Sequence, residues 1–248
     1  MEAFFEWFRV LYDETGINLP FLYDSYDRGR MFDGFMMTIR LSVVCLFFSI
    51  IIGMIGAWLQ GSSFKWTRRL VNGYIQLFRN TPPLVQLYFF YFAIGSLLPK
   101  VATEYGGEAP ALGSFAWAVI SLSFFAGAFN VEIFRSGIEA VPESTVEAAE
   151  ALGFSRFQIY KDITLPLAFR VILPALNNNL VNLVKTTTLA YAIAVPEMLY
   201  EANQIWSDNV NVTEMMLFLL LAYFVLVGLL VWAMNRWERA MKIPGYGA

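Results

Sequence analysis

Met31 to Leu59 is an apolar run, with Ser and Gly interspersed, longer than the roughly 20 residues a helix needs to cross the hydrocarbon core. A segment of that kind must satisfy its backbone internally, so it folds as a membrane helix or not at all. Further runs follow: Tyr74 to Leu98, interrupted at Pro82-Pro83; Gly113 to Phe134; Leu167 to Val195, rich in polar residues and carrying Pro174; and Met215 to Met234. Hydrophobic residues make up 58 % of the 248, and mean hydropathy is +0.54. The expectation is an all-α membrane protein of five transmembrane helices spanning residues 31–240, preceded by an N-terminal segment, 1–30, and followed by a short tail, 241–248.

Basic residues set the direction. Lys65, Arg68, Arg69 and Arg79 follow the first run, Arg135, Arg156, Lys161 and Arg170 bracket the loop 136–166, and Arg236, Arg239 and Lys242 close the chain. The opposite links hold Lys100 against Glu104, Glu108, Glu197, Glu201 and Asp208. The loop 136–166 and the C-terminus are therefore expected in the cytoplasm. Five crossings then put the N-terminus outside. Phe4, Phe5, Phe8 and Leu11, beside Glu2, Glu6 and Arg9, suggest a helix lying in the outer interface. The acidic start, Met1-Glu2-Ala3, lacks the positive region of a cleaved signal peptide.

Several chemistries are excluded. The chain has no histidine, and its one cysteine, Cys45, lies in an apolar run without a partner for a disulfide. No G-x-x-x-x-G-K-[ST] loop is present, so no P-loop binds ATP here. A nucleophile–base pair for an intramembrane enzyme is missing. We expect no catalytic residue, no metal, no cofactor and no nucleic-acid partner.

The loop between the third and fourth runs carries the most information. Glu143 to Leu152 is rich in Ala and Glu, with Pro142 and Ser144 as a start signal and Gly153 as a stop. Ala148, Ala149 and Ala151 give a low-profile face that another protein can approach closely. A second helical stretch, Arg156 to Leu165, is expected to end against Pro166. Glu147-Ala148-Ala149, three residues, Gly153, nine residues and Ile163-Thr164-Leu165-Pro166 together resemble the signature of the membrane-spanning subunits of ABC importers. The stretches 77–86, beginning Leu77-Phe78-Arg79-Asn80-Thr81-Pro82, Val131 to Ile138 and Asn182 to Ala190 resemble permeases for polar amino acids within the histidine/glutamine permease family. The ending, Trp237 to Gly245, is similar to that of glutamate and aspartate permeases. This chain departs from the pattern at Ser144-Thr145-Val146, where relatives have Gly-Gln, and at Thr186, where Asp or Asn is common.

The resemblance implies a permease subunit of the type I ABC importer kind in the bacterial inner membrane. It implies a coupling helix whose Glu147, Ala148, Ala149 and Gly153 dock on an ATP-hydrolysing partner. It also implies a pair of ATP-binding subunits, a second permease that is a copy or a paralogue, a periplasmic binding protein, and an amino acid, acidic ones leading, as cargo. The rival reading is a secondary transporter or channel driven by an ion gradient; it calls for inverted repeats and buried mid-span acids, and neither is visible.

Polar residues within the fourth run need partners or water, since a charge at mid-bilayer costs about 2.5–3.5 kcal/mol. Asn178, Asn182 and Lys185 recur at spacings of four and three, hence on one face, and Thr186 joins from Asn182. That face either lines a substrate path or forms a hydrogen-bond network between helices. Glu132 either pairs with Arg135, three residues on, or meets a substrate amine. Arg40 is expected to snorkel to the outer surface.

Overall fold

The computed structural model describes residues 2–102 and 107–241, with side chains from Glu6 onward. The side chains of Phe4 and Phe5 of the N-terminal pattern, Glu104 of the outer link and the ending beyond Met241 lie outside what it describes. Short helices α1 (Glu2–Thr15) and α2 (Pro20–Tyr23) lead into α3 (Ser25–Gln60). Then come α4 (Lys65–Arg79), α5 (Pro83–Tyr88), a two-stranded hairpin of β1 (Lys100–Ala102) and β2 (Glu108–Pro110), and α6 (Ser114–Glu139). After these follow α7 (Glu143–Ala151), α8 (Arg156–Gln158), α9 (Leu165–Thr186), α10 (Met198–Asn209) and α11 (Val212–Met241).

Among the described residues, four helical stretches are long and apolar enough to cross a membrane: Ser25–Gln60, Ser114–Glu139, Arg156–Ile193 and Val212–Met241. The run expected at Tyr74 to Leu98 is different in kind. The helix α4 starts nine residues earlier, at Lys65, and stops at Arg79. Pro82 has no N–H to continue the ladder, so the chain restarts at Pro83. From there α5 widens into a π turn over Phe89–Ile94 and tightens into a 3₁₀ turn at Gly95–Leu97. Pro83–Leu97 spans about 22 Å at an α-helical rise, short of the roughly 30 Å core.

The chain divides into two compact units. One draws on Met1–Val44, Leu84–Ser121 and Val184–Gly228. Its core gathers Phe21, Met31, Met198, Ala202, Ile205, Met215 and Leu219, so that α10 is clasped by α2, the first half of α3 and the start of α11. Polar contacts fix the clasp. Arg30 reaches Glu201 at 3.2 Å, Asp208 at 2.9 Å and Asp27 at 3.4 Å, and Asn209 donates to Asp27 at 3.2 Å. In the same unit Arg40 is exposed and its guanidinium lies 5.0 Å over the Phe115 ring.

The other unit draws on Cys45–Pro83, Leu122–Leu183 and Leu229–Ala248. Here a Cβ on Gly56 would overlap Val131, so only glycine lets α3 and α6 approach this closely. Buried amides then tie three helices together. Asn179 of α9 donates to Asn130 at 2.7 Å and to the Ala126 carbonyl at 3.0 Å, and Asn130 donates to Ser49 of α3 at 3.3 Å. Tyr74 of α4 donates to the Phe124 carbonyl at 2.5 Å, while Val71, Ile75 and Phe78 pack inward from the same helix.

Candidate coupling loop and polar helix face

The helix α7 begins at Glu143, whose carboxylate suits the positive N-terminal end. Pro142 occupies the cap without any side-chain cap bond, so Ser144 lies inside the first turn and does not start the helix. The C-terminal end closes as the expected stop requires. Gly153 has φ of +84°, its N–H donates to the Glu150 carbonyl at 2.9 Å, and Phe154 N–H donates to Ala149 at 3.1 Å. Those two bonds around a left-handed residue form a Schellman cap.

Ser144, Glu147, Ala148 and Ala151, spaced three, four and seven, all point outward. Ala149 does not share that face; it is buried against the protein, so the expected alanine face is made by Ala148 and Ala151 alone. Just past them stand Leu152, 78 % exposed, and Phe157, 73 % exposed. Small side chains beside these two bare apolar ones, with Phe154 and Tyr160 also exposed, make an open apolar surface on this loop.

The helix after this cap does not end at Pro166. Ser155 starts α8 through a capping box with Gln158, and the chain passes through a π turn at Ile159–Thr164 directly into α9. A proline ring crowds the carbonyl four residues back and offers no N–H; widening the preceding turn accommodates both defects.

The asparagines of α9 divide by face. Asn177 and Asn179 are buried, Asn179 in the network with Asn130 and Ala126 described above. Asn178, Asn182 and Lys185 are exposed, and Thr186 is half-buried. Asn179 ties helices together, while Asn178, Asn182 and Lys185 lie on an exposed face of the same helix. At its end α9 tightens into a 3₁₀ turn, Thr187–Ile193, where Thr187 and Thr188 hydroxyls donate to the Val184 and Lys185 carbonyls at 2.7 and 2.9 Å.

Glu132 does not pair with Arg135. It forms an ion pair with Arg79 of α4, and Arg135 turns instead to Glu139, one turn on, at 3.2 Å. The inward packing of α4 delivers Arg79, whose guanidinium also lies 5.3 Å from the Phe129 ring.

Glu197 is fully buried and caps α10, its two oxygens accepting from Leu199 N–H at 3.0 Å and Tyr200 N–H at 2.9 Å, with the Tyr223 hydroxyl at 3.0 Å. Burial pushes its carboxyl from about 4.5 to about 7, and these donors oppose the rise. The folded state therefore keeps a proton that the unfolded chain releases. The stability this supplies is fully present below about pH 4.5 and is lost as pH rises through about 7. In detergent, the melting temperature should be higher at pH 5 than at pH 8, with Glu197 contributing about 3 kcal/mol. Glu197→Gln should flatten that slope; an equally steep profile in the variant would contradict the assignment.

Residues 31–243 match the model of a family described as the binding-protein-dependent transport system inner membrane component. The chain belongs to this family. Its relatives include the probable amino-acid permease protein YxeN of Bacillus subtilis, 31 % identical over 208 residues, covering 84 % of this chain and 89 % of the relative. The glutamate/aspartate import permease protein GltJ of Escherichia coli is 29 % identical over 219 residues, covering 88 % and 89 %. A crystal structure of an amino acid ABC transporter with histidines superposes at a TM-score of 0.77, with 26 % identity over 90 % of this chain and 99 % of that one. The MetNI methionine ABC transporter in an inward-facing form gives 0.67 at 20 % identity, a likeness of fold. This inner membrane component is thus a multi-pass transport subunit with the type I ABC importer permease fold.

Proposed function

We propose that the chain is the permease subunit of an ATP-driven importer for polar amino acids, acidic ones first. The observation that carries this reading is α7: a capped, outward-facing helix of small residues with bare Leu152 and Phe157 beside it. In this reading Glu147, Ala148 and Gly153 meet an ATP-hydrolysing subunit, and buried Ala149 fixes the helix to the body that must move. The chain hydrolyses no ATP, consistent with the missing P-loop; two ATP-binding subunits do so. A second permease, copy or paralogue, completes the path, and a periplasmic binding protein delivers cargo. The chain crosses the membrane five times, Pro83–Leu97 serving with the end of α4 as the second crossing. The N-terminal segment stays outside and the tail inside. Asn178, Asn182, Lys185 and Thr186 line the path, where an ammonium and amide donors can hold a carboxylate; Glu132 braces α4 against α6.

The reading requires α7 to be cytoplasmic. In a Cys45→Ala background, a membrane-impermeant thiol reagent applied to intact cells should label Glu108→Cys, on exposed β2, and spare Ser155→Cys. Opening the cells should expose Ser155→Cys. The reverse pattern would overturn both the orientation and the coupling role.

A further inference from the structure

The helix α4 presents three different faces. Val71, Ile75 and Phe78 pack inward, and Trp66, Leu70 and Leu77 form a bare apolar strip. Lys65, Arg68, Asn72, Gln76 and Arg79, at successive spacings of three, four, four and three, share the third face, and all five are exposed. Asn80 extends this face and donates to Gln76 at 2.9 Å. From Lys65 to Arg79 the polar face runs about 21 Å of helix rise.

The face ends on an ion pair at membrane depth. Arg79 pairs with Glu132 of α6, which lies about 8 Å of rise from the middle of that span, well inside a hydrocarbon core about 30 Å thick. Both side chains stay open, Arg79 37 % and Glu132 40 % exposed. Charges at that depth turn to water or a cavity rather than to lipid, and the polar face of α4 supplies a wet wall for one. Holding α4 to α6 does not account for the pair, because ion pairs this open add little stability. The Arg79 guanidinium lies 5.3 Å from the Phe129 ring, which orients its plane and leaves its edge for acceptors. A fixed cation and anion side by side match the two charges on the α-carbon of an amino acid. Arg79 offers a fork of donors to the carboxylate, and Glu132 accepts from the ammonium.

We propose that Arg79 and Glu132 together bind the α-carboxylate and α-ammonium of an amino acid in transit, at the end of a water-filled passage walled by the polar face of α4. The site rests on the amino acid cargo proposed above. In the empty chain the two side chains satisfy each other and brace α4 against α6; cargo inserts between them.

The test uses the full chain purified with its partner subunits in nanodiscs, in a Cys45→Ala background, with modification of this chain read by mass spectrometry. A water-soluble thiol reagent should modify Gln76→Cys much faster than Leu77→Cys, its neighbour on the apolar strip. L-glutamate should slow modification of Gln76→Cys. Glutarate, which lacks the ammonium, and γ-aminobutyrate, which lacks the α-carboxylate, should protect on the order of tenfold to a hundredfold less well, the worth of one charge-assisted contact. Arg79→Gln and Glu132→Gln should each weaken protection by glutamate by a similar factor. The exchange Arg79→Glu/Glu132→Arg keeps an ion pair, and with it the yield of the complex, yet reverses the charges that cargo meets; protection should stay lost. Equal reactivity of the two cysteines, equal protection by all three compounds, or full protection in a single variant would each overturn the proposal. Full protection in the exchanged variant would reduce the pair to a brace. Protection is read without ATP or binding protein, so its failure leaves the importer reading standing. Absence of ATP-driven uptake by the unaltered complex would fell that reading whether or not glutamate protects.

Discussion

Gly153→Asp is expected to leave the protein in the membrane at normal yield while abolishing transport. The folding cost is small. A Cβ at Gly153 meets nothing within 4 Å, so the penalty is only that of a left-handed backbone, about 1 kcal/mol, and Asp tolerates that conformation better than most residues. The consequence for docking is larger. A carboxylate appears beside Leu152 and Phe157, next to Glu147 and Glu150, in a surface that a partner must dehydrate. Desolvating an unmatched charge there costs roughly 2–3 kcal/mol, an association weaker by about 30–150-fold. Gly153→Ala carries the strain without the charge and should retain most transport. The measurement pairs membrane yield with retention of the ATPase on the purified chain. Normal ATPase retention by Gly153→Asp with normal transport would refute the coupling role.

Lys185→Met should have the second large effect, on cargo rather than on assembly. Lys185 is exposed, as are Asn178 and Asn182 on its face, so the substitution removes an ammonium while keeping length, and among the described residues it strands no buried charge. Loss of a charge-assisted carboxylate contact is worth about 1.5–3 kcal/mol, so uptake should fall on the order of tenfold to a hundredfold. Asn179→Leu is the contrast. It deprives Asn130 and the Ala126 carbonyl of their donor and should lower the yield of folded protein by about 1 kcal/mol of stability or somewhat more. Uptake, complex yield and ATPase stimulation by the loaded binding protein separate the two. If Lys185→Met fails to assemble, or transports normally, the polar stripe does not line the path.

These contrasts mark where sequence reading succeeds. Hydropathy located the four long helices because their apolar runs exceed anything a soluble helix carries, and Gly153 was legible because a left-handed cap favours one residue type. The faces of α9 were legible by spacing, yet only packing shows that Asn179 turns inward and Lys185 does not. The partner of Glu132 is hidden for a related reason. An i,i+3 partner is visible in sequence, whereas Arg79, 53 residues away, depends on how α4 folds back. The passage of helix through Pro166 was hidden as well, because a π turn has no residue signature. Glu197 read as one more acid in an outer link; its burial comes from tertiary packing, which no local pattern reports. The same holds for Ala149.

In the proposed function this chain conducts polar amino acids only when an ATPase partner drives it. The measurement is uptake of radiolabelled glutamate, aspartate and glutamine into vesicles containing the purified permease and ATPase subunits, with binding protein added outside and ATP inside. Accumulation should require ATP and binding protein together, and should persist when proton and sodium gradients are collapsed. Uptake by the chain alone, driven by an ion gradient without ATP, would contradict it.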